Sequence, residues 1–192
     1  MIKAIIFDFF GVLVTEGWLQ FKDEYFGNNP NLFDKATDIG RQANLGLLSQ
    51  QEFLKQIAEL AKIPIDEVHK SVMGNVPNKL LFSYINELKS GYKIGLLSNI
   101  MPDHLQALLT PEQIALFDVL SLSCETGFVK PDERAYLTAA NELSLSPKEC
   151  VMIDDQNVNV EGAVAVGMEG VLYRDFAEAR DEIEGLLADS KG

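Results

Sequence analysis

The sequence has few cysteines and few cationic side chains. Its 192 residues include 2 cysteines, and 16 lysines and arginines stand against 29 aspartates and glutamates, for a formal net charge of −13. Cys124 and Cys150 show no metal-ligand or redox spacing, so we expect two buried free thiols in a reducing compartment. No stretch rich in lysine and arginine offers a footprint for phosphate backbones, which argues against a nucleic-acid partner.

Long hydrophobic runs are also missing. No apolar stretch approaches the roughly 20 residues that cross a bilayer, so we expect no membrane partner. The first fourteen residues are apolar, but Asp8 interrupts them and no small-residue cleavage site follows, which argues against a signal peptide. With 47% apolar and 23% charged residues, the composition is that of a soluble globular protein, and we expect it to be cytoplasmic.

After residue 77 the pattern alternates between apolar strands and helices. The strands are apolar throughout, as in parallel sheets covered on both faces, and the sequence therefore predicts an α/β fold with a doubly wound parallel sheet. A first strand at 3–7 joins it. The other predicted strands are 92–97, 117–122, 150–153 and 170–173, and the predicted helices are 80–89, 132–143, 158–166 and 175–187.

Residues 15–78 break this alternation and form a predicted all-helical insertion, or cap. Ser49 and Glu52 have the spacing of a capping box that opens a helix, and residues 28–31 are interpreted as a turn. We therefore expect a catalytic core of residues 1–14 and 79–192, with the cap above the carboxyl ends of the strands, where open α/β sheets bind ligands.

Polar side chains follow several of the predicted strands. Because the carboxyl ends of parallel strands share one edge of a sheet, these side chains predict one site with three carboxylates, one ammonium and one hydroxyl. Ionised carboxylates about 4 Å apart repel by about 4 kcal/mol at an effective dielectric near 20. Mg²⁺ would offset that charge, and a hydroxyl, a lysine and glycine-turn amides suit a phosphoryl group. The residues are Asp8, Ser98, Asn99, Lys130, Asp154 and Asp155.

The order of these motifs resembles that of the haloacid dehalogenase superfamily, and the likeness spans almost the whole chain. The matching positions are Asp8 with Gly11, then Ser98, then Lys130 in Lys-Pro-Asp, then Asp154-Asp155. The resemblance implies a phosphatase-like hydrolase with a helical cap that uses Mg²⁺ and acts on a small phosphorylated metabolite.

By the resemblance, Asp8 is the nucleophile that forms an aspartyl-phosphate, and Lys130 orients it. Phosphate binding falls to Ser98, Asn99 and Lys130 with the backbone of Phe10 and Gly11. The metal ligands are Asp8, Asp155 and the Phe10 carbonyl, with Asp154 as ligand or neighbour, and Asn159 braces this loop.

Phe10 departs from the family pattern, which has at this position an aspartate that protonates the leaving group. Three outcomes follow: another acid such as Glu16 serves, the substrate has a good leaving group, or the protein is inactive. Family members without this aspartate resemble sugar-phosphate phosphatases, which favours a sugar 1-phosphate. The alternatives are a non-catalytic protein that binds a phosphorylated ligand or a partner protein, and a metal-independent 2-haloacid dehalogenase.

Four further side chains have no assigned role from the sequence. Trp18 and Arg41 could face the pocket, although packing explains the tryptophan equally well and an exposed helix explains the arginine. His69 and His104 lack ligand spacing and are assigned no function.

Overall fold

A five-stranded, all-parallel sheet forms the centre of the molecule. The computed structural model describes residues 1–189, in which the strands lie in the order β3-β2-β1-β4-β5. This confirms the predicted doubly wound α/β fold. The strands are β1 (Ala4–Phe7), β2 (Lys93–Ser98), β3 (Val119–Leu122), β4 (Cys150–Asp154) and β5 (Glu169–Leu172).

Eleven α-helices occur in this part of the chain. Four of them, α1 (Trp18–Phe26), α2 (Pro30–Asn44), α3 (Gln50–Ala61) and α4 (Ile65–Met73), come between β1 and β2. After them come α5 (Lys79–Leu88), α6 (His104–Leu108), α7 (Pro111–Ile114), α8 (Ser123–Thr126), α9 (Glu133–Glu142), α10 (Asn157–Ala165) and α11 (Phe176–Asp189).

The central strand β1 buries both of its faces. Ile5 and Phe7 join the hydrophobic cluster that contains residues of α5 and α11, whereas Ala4 and Ile6 join the opposite cluster with α9. Successive side chains of a strand point to opposite faces, so a strand covered by helices on both sides must be apolar at every position. That requirement explains the continuous apolar run in the sequence.

Helices α1–α4 form a cap with its own hydrophobic cluster, which includes Phe21, Phe26, Ile57 and Val68. Helix α3 begins at the predicted capping box: the Glu52 N–H donates to Ser49 Oγ, and the Ser49 N–H donates to the Glu52 carboxylate. Of residues 28–31, predicted as a turn, Asn28 lies in a turn, whereas Pro30 and Asn31 begin α2, which the Asn29 side chain caps.

The cap joins the core through two chain segments that pair with each other. The Thr15 N–H donates to the Val76 carbonyl at 3.0 Å, and the Asn78 N–H donates to the Leu13 carbonyl at 2.8 Å. These bonds lie close to the predicted boundaries at residues 14/15 and 78/79, which stay a prediction.

Two further expectations concern the cysteines and the membrane. Both cysteines are free thiols; Cys150 is buried, whereas Cys124 is only half-buried. Between residues 1 and 189, no helix combines the length and the apolar character needed to cross a bilayer.

Candidate active site

Three polar side chains stand at the carboxyl ends of the three central strands. Asp8 directly follows β1, Ser98 ends β2 and Asp154 ends β4. The Asp8 N–H donates to the Ile153 carbonyl at 2.9 Å, which fixes the end of β1 against that of β4. All three side chains are buried, as the shared edge of a parallel sheet under a cap requires.

The Lys130 ammonium lies between two of these carboxylates. Its Nζ is 2.8 Å from Asp8 Oδ1 and 2.6 Å from Asp154 Oδ2. Burial raises the pKa of Asp8, and Asp154 adds to the rise, while Lys130 opposes it. Burial opposes the charge on Lys130, but Asp8 and Asp154 outweigh that effect, and the net result is a raised Lys130 pKa. The proton therefore stays on the lysine and the site keeps its internal cation.

The loop that carries Lys130 is held by Asn99. The Lys130 N–H donates to Asn99 Oδ1 at 2.7 Å, and Asn99 Nδ2 donates to the Lys130 carbonyl at 3.0 Å. Both ends of the Asn99 amide are therefore occupied by the backbone of one residue. Because Asn99 directly follows β2, this pair of bonds joins the lysine to the end of that strand.

The adjacent aspartates Asp154 and Asp155 have different surroundings. Asp154 Oδ1 accepts hydrogen bonds from the Gln156 N–H at 2.9 Å and from Asn159 Nδ2 at 3.0 Å, and Oδ2 accepts from Lys130. Asp155 Oδ1 is buried and has no partner in the described part of the chain. Burial, with smaller contributions from Asp154 and Glu16, raises the pKa of Asp155 to about 6.

The carboxylates form a cluster suited to a divalent cation. Asp8, Asp154 and Asp155 each place an oxygen within 4.8 Å of the others. Three ionised carboxylates and one ammonium leave a formal charge of −2, which a Mg²⁺ ion would neutralise. The unpartnered Asp155 oxygen is the kind of ligand atom that such an ion takes. The residues present therefore fit the predicted magnesium ion.

The turn after Asp8 brings Phe10 and Gly11 into the site. Gly11 has a φ of +82°, and a side chain there would overlap the Asp155 carboxylate. The Phe9 N–H donates to Asp8 Oδ1 at 2.6 Å, and the Gly11 N–H donates to the Val14 carbonyl at 2.8 Å. The Phe10 N–H has no acceptor among residues 1–189. Of these three amides, it is the one left for an anion.

Ser98 presents a second group without a partner. Its side chain is fully buried, and Oγ makes no hydrogen bond to any part of the chain that the structure describes. A buried hydroxyl without a partner is unfavourable, so this group is suited to a ligand oxygen. The structure thus gathers Asp8, Ser98, Lys130, Asp154 and Asp155 at one edge of the sheet.

A cavity of about 460 Å³ opens above this edge, between cap and core. Asp8, Phe10, Trp18 and Arg41 line it, so the two cap residues left open by the sequence both face the pocket. His104, to which the sequence analysis assigned no function, also lines it. Its ring packs 5.1 Å from that of Phe10, and burial lowers its pKa to about 4. No spacing signal marks it, because its burial depends on packing against a distant part of the chain.

Two carboxylates outside the aspartate cluster also line the cavity. Glu16 accepts the Leu19 N–H at 2.9 Å, and burial raises its pKa. Asp132 is held by the Arg134 side chain and backbone, which lower its pKa to about 2. Glu16, the alternative acid suggested by the sequence, is therefore the one that holds a proton more readily.

Comparison with curated proteins finds phosphatases that match nearly the full chain. The D-ribitol-5-phosphate phosphatase of Bacteroides thetaiotaomicron is 27% identical over 204 aligned positions, which cover 97% of this chain and 99% of that protein. The sesquiterpene phosphatase of Aspergillus oryzae is 29% identical and covers 96% of each chain.

Solved structures show the same fold. A haloacid dehalogenase family enzyme from Bacteroides thetaiotaomicron, in complex with magnesium and inorganic phosphate, superposes with a TM-score of 0.71 at 23% identity, covering 91% of this chain and 95% of the other. L-2-haloacid dehalogenase from Xanthobacter autotrophicus gives a TM-score of 0.64 at 22% identity, with coverages of 93% and 80%.

The model of the haloacid dehalogenase-like hydrolase family matches residues 2–167. That range includes β1 and the cap as well as each residue of the aspartate cluster. The chain therefore belongs to the haloacid dehalogenase-like hydrolases.

Proposed function

We propose that this hydrolase cleaves small phosphate monoesters with Mg²⁺, through an aspartyl-phosphate on Asp8. The observation that carries the proposal is the pairing of Asp8 with Lys130 beside two groups that lack partners, Ser98 Oγ and the Phe10 N–H. Asp8, Phe10 and Lys130 line the cavity. A nucleophile, a cation and free hydrogen-bond donors are what phosphoryl transfer needs.

Asp8 is positioned to attack phosphorus with one oxygen while the other is held. Lys130 and the Phe9 N–H both donate to Oδ1, which leaves Oδ2 for the substrate. Attack forms an oxygen–phosphorus bond and breaks the bond to the alcohol, which leaves with a proton. Water then attacks phosphorus, breaks the bond to Asp8, releases inorganic phosphate and restores the carboxylate.

Ser98 and the backbone of Phe10 and Gly11 bind the phosphate in this proposal. Ser98 Oγ donates to one phosphoryl oxygen and the Phe10 N–H to another, while Gly11 provides the turn. Asn99 acts as a positioning residue, because its amide is already bonded to Lys130.

The magnesium ion, when bound, offsets the negative charge of the carboxylates and of the phosphoryl group. Asp8, Asp155 and the Phe10 carbonyl would hold it, since Asp155 Oδ1 lacks another partner. Asp154 would hold its neighbours in place, because both of its oxygens are already bonded within the chain.

The relatives support phosphatase chemistry without fixing the organic part of the substrate. One is named for a polyol phosphate and another for a sesquiterpene. Both names are consistent with a small phosphorylated metabolite as substrate. The sugar 1-phosphate suggested by Phe10 belongs to this range and stays a prediction.

The two alternative functions make different demands on the site. Dehalogenation needs Asp8 to attack carbon and has no use for a metal, so it leaves the crowding of Asp154 and Asp155 unexplained. A protein that only binds a ligand has no need for a nucleophile held by a buried lysine. Neither alternative accounts for the aspartate cluster as a phosphatase does.

The test is hydrolysis of a panel of phosphate monoesters, with Mg²⁺ and with a chelator, by the wild-type protein and by Asp8→Asn. We expect turnover in the wild type with Mg²⁺, and its loss in both the chelated sample and the variant. Turnover that survives either change would contradict the proposal. Halide release from 2-haloacids without metal would support dehalogenation instead.

A further inference from the structure

Beyond the phosphate site, one part of the cavity wall consists of large apolar side chains. On the cap side they consist of Trp18, Leu19, Phe53 and Val72, and on the core side of Phe10 and Met101. These side chains come from α1, α3, α4 and the loop after β2, so separate elements direct apolar surface at one space. The volume of about 460 Å³ lies within the range of pockets for small organic ligands.

Trp18 is a fixed part of this wall. Its indole lies edge-on to Phe53, with ring centroids 5.3 Å apart, and stacks on Phe21 at 6.2 Å. Gly40 provides the space on the other side, because a Cβ atom there would lie 3.1 Å from the indole. A tryptophan packed in this way offers a rigid apolar surface at small conformational cost.

Several polar side chains of the cavity already have partners. Thr37 Oγ1 donates to the Phe33 carbonyl and accepts from Lys22. Glu16 Oε1 accepts the Leu19 N–H, and both Asp132 oxygens accept from Arg134. A polyol hydroxyl beside these three side chains would have to displace an existing hydrogen bond, which weakens binding.

Four other polar residues line the cavity and differ in their exposure to water. Arg41 is exposed, while Asn44 and Gln156 are half-buried, so all three retain contact with water. His104 has two ring nitrogens without partners in residues 1–189 and could accept one polar group of a ligand. His104 can therefore bind a single hydroxyl group of a ligand, but not the several hydroxyl groups of a polyol.

We propose that the substrate is the phosphate ester of a bulky apolar alcohol, bound with its carbon skeleton against Trp18 and Phe53, and not the ester of a polyol. This proposal departs from the sugar 1-phosphate predicted from Phe10. This inference rests on the proposed phosphatase function. Its basis is a rigid apolar wall beside which three polar side chains, Glu16, Thr37 and Asp132, are already hydrogen-bonded.

The test compares substrates that share a primary-alcohol leaving group. 3-Methylbutyl phosphate and cyclohexylmethyl phosphate represent the apolar class, and glycerol 3-phosphate and ribitol 5-phosphate the polyols. We expect kcat/KM to favour the apolar esters by about tenfold or more, because apolar groups gain from burial and hydroxyls lose partners. Equal or better cleavage of the polyol esters would overturn the inference and leave the phosphatase proposal standing. Failure to cleave any ester would contradict the phosphatase proposal itself.

A variant at Trp18 separates the contribution of the apolar wall to substrate preference from the catalytic step. Trp18→Ala should lower kcat/KM for the apolar esters by about tenfold and change that for the polyol esters little, and Trp18→Phe should retain most of the preference. Phe26→Leu, in the cap core but not in the cavity lining, is the control for loosened cap packing. An equal loss for both substrate classes in Trp18→Ala would contradict the inference.

Binding can also be measured without turnover. Trp18 is the one tryptophan of the chain, so its fluorescence reports directly on the cavity. In the Asp8→Asn protein with Mg²⁺, 3-methylbutyl phosphate should shift this emission at lower concentrations than glycerol 3-phosphate. The reverse order would overturn the inference even if Trp18→Ala does not fold.

Discussion

Both the backbone conformation and the space in the site require a glycine at position 11. Its φ of +82° belongs to the left-handed region, and any side chain there would enter the space of the Asp155 carboxylate. The sequence marks this glycine as part of a turn. Its contact with a residue far along the chain follows only from the pairing of β1 with β4.

Gly11→Ala should therefore damage both the fold and the metal site. We expect a backbone cost of about 1–2 kcal/mol, plus a weaker response to Mg²⁺ because Asp155 must move. Gly127→Ala is the matched control, since Gly127 has a φ of +76° and open space around its Cβ position. Urea unfolding with and without Mg²⁺ measures both effects. Identical behaviour of the two variants would contradict this description of the turn.

Glu16 is the cavity carboxylate best suited to replace the acid that Phe10 cannot supply. Burial raises its pKa, whereas the pKa of Asp132 is held at about 2 by Arg134. Glu16→Gln should slow hydrolysis of alkyl phosphates by about 10²-fold. The effect on p-nitrophenyl phosphate should be much smaller, because that leaving group departs without a proton.

The ratio of the two rates separates this role from general damage. Asp132→Asn is the matched control and should leave the ratio unchanged, while Phe10→Asp in the Glu16→Gln background should restore alkyl phosphate hydrolysis. If Glu16→Gln slows both substrates equally, the proton has another source.

At the scale of secondary structure, the loop that carries Lys130 depends on the end of β2. Asn99 bonds the Lys130 backbone on both sides. Asn99→Ala should cost about 1–3 kcal/mol, because a buried N–H and carbonyl lose their partner. It should also lower kcat by about tenfold or more, since misplaced catalytic groups react slowly.

A hydroxyl at the end of α8, just before this loop, provides the control. Thr126 Oγ1 accepts the Phe128 N–H at 3.3 Å and does not line the cavity. Thr126→Ala should lower stability slightly and leave kcat close to that of the wild type. Thermal unfolding and phosphate release distinguish the two variants; a comparable loss of kcat in both would show that the loop, not the Asn99 bonds, sets the lysine position.

The buried strands were predictable from the sequence, whereas the short helices α6 and α7 were not. Strands β1 and β4 are apolar runs because both faces of the sheet are covered. An apolar run of this kind therefore predicts a buried strand. Helices α6 and α7 have 5 and 4 residues, too few for a helical repeat to show. The predicted strand at 117–122 begins at Val119 because the Phe117 N–H bonds the end of α7.

Some residues of the site were predictable from the sequence, and others were not. Residues at strand ends, such as Asp8 and Asp154, could be placed together from topology alone. His104, by contrast, reaches the cavity through its packing on Phe10, which no local pattern encodes.

At the scale of the whole molecule, the acidic chain contains a buried cluster whose charges repel each other. In Asp155, burial, Asp154 and Glu16 all disfavour the charged form of the carboxyl group. A divalent cation that binds only the folded protein raises its stability by mass action. Metal binding and folding should therefore be linked in this protein.

Asp155→Asn should separate the effect of charge repulsion on stability from the effect of metal binding. Without Mg²⁺ the variant should be more stable than the wild type, because one of the repelling carboxylates is gone. With Mg²⁺ in hundredfold excess over its Kd, the wild type should gain about 2.7 kcal/mol and the variant little. Calorimetric unfolding at neutral pH checks both expectations. Equal stabilisation of the two proteins by Mg²⁺ would show that Asp155 is not a ligand.

The central claim is that Asp8 carries the phosphoryl group during turnover. The most direct test is acid quenching during hydrolysis of a phosphate monoester with Mg²⁺, followed by mass spectrometry of the peptides. We predict one phosphoryl group on the peptide that contains Asp8 in the wild type, and none in Asp8→Asn or after chelation. Release of alcohol at the full rate by Asp8→Asn, or by a wild-type protein with a different phosphorylated peptide, would contradict the claim.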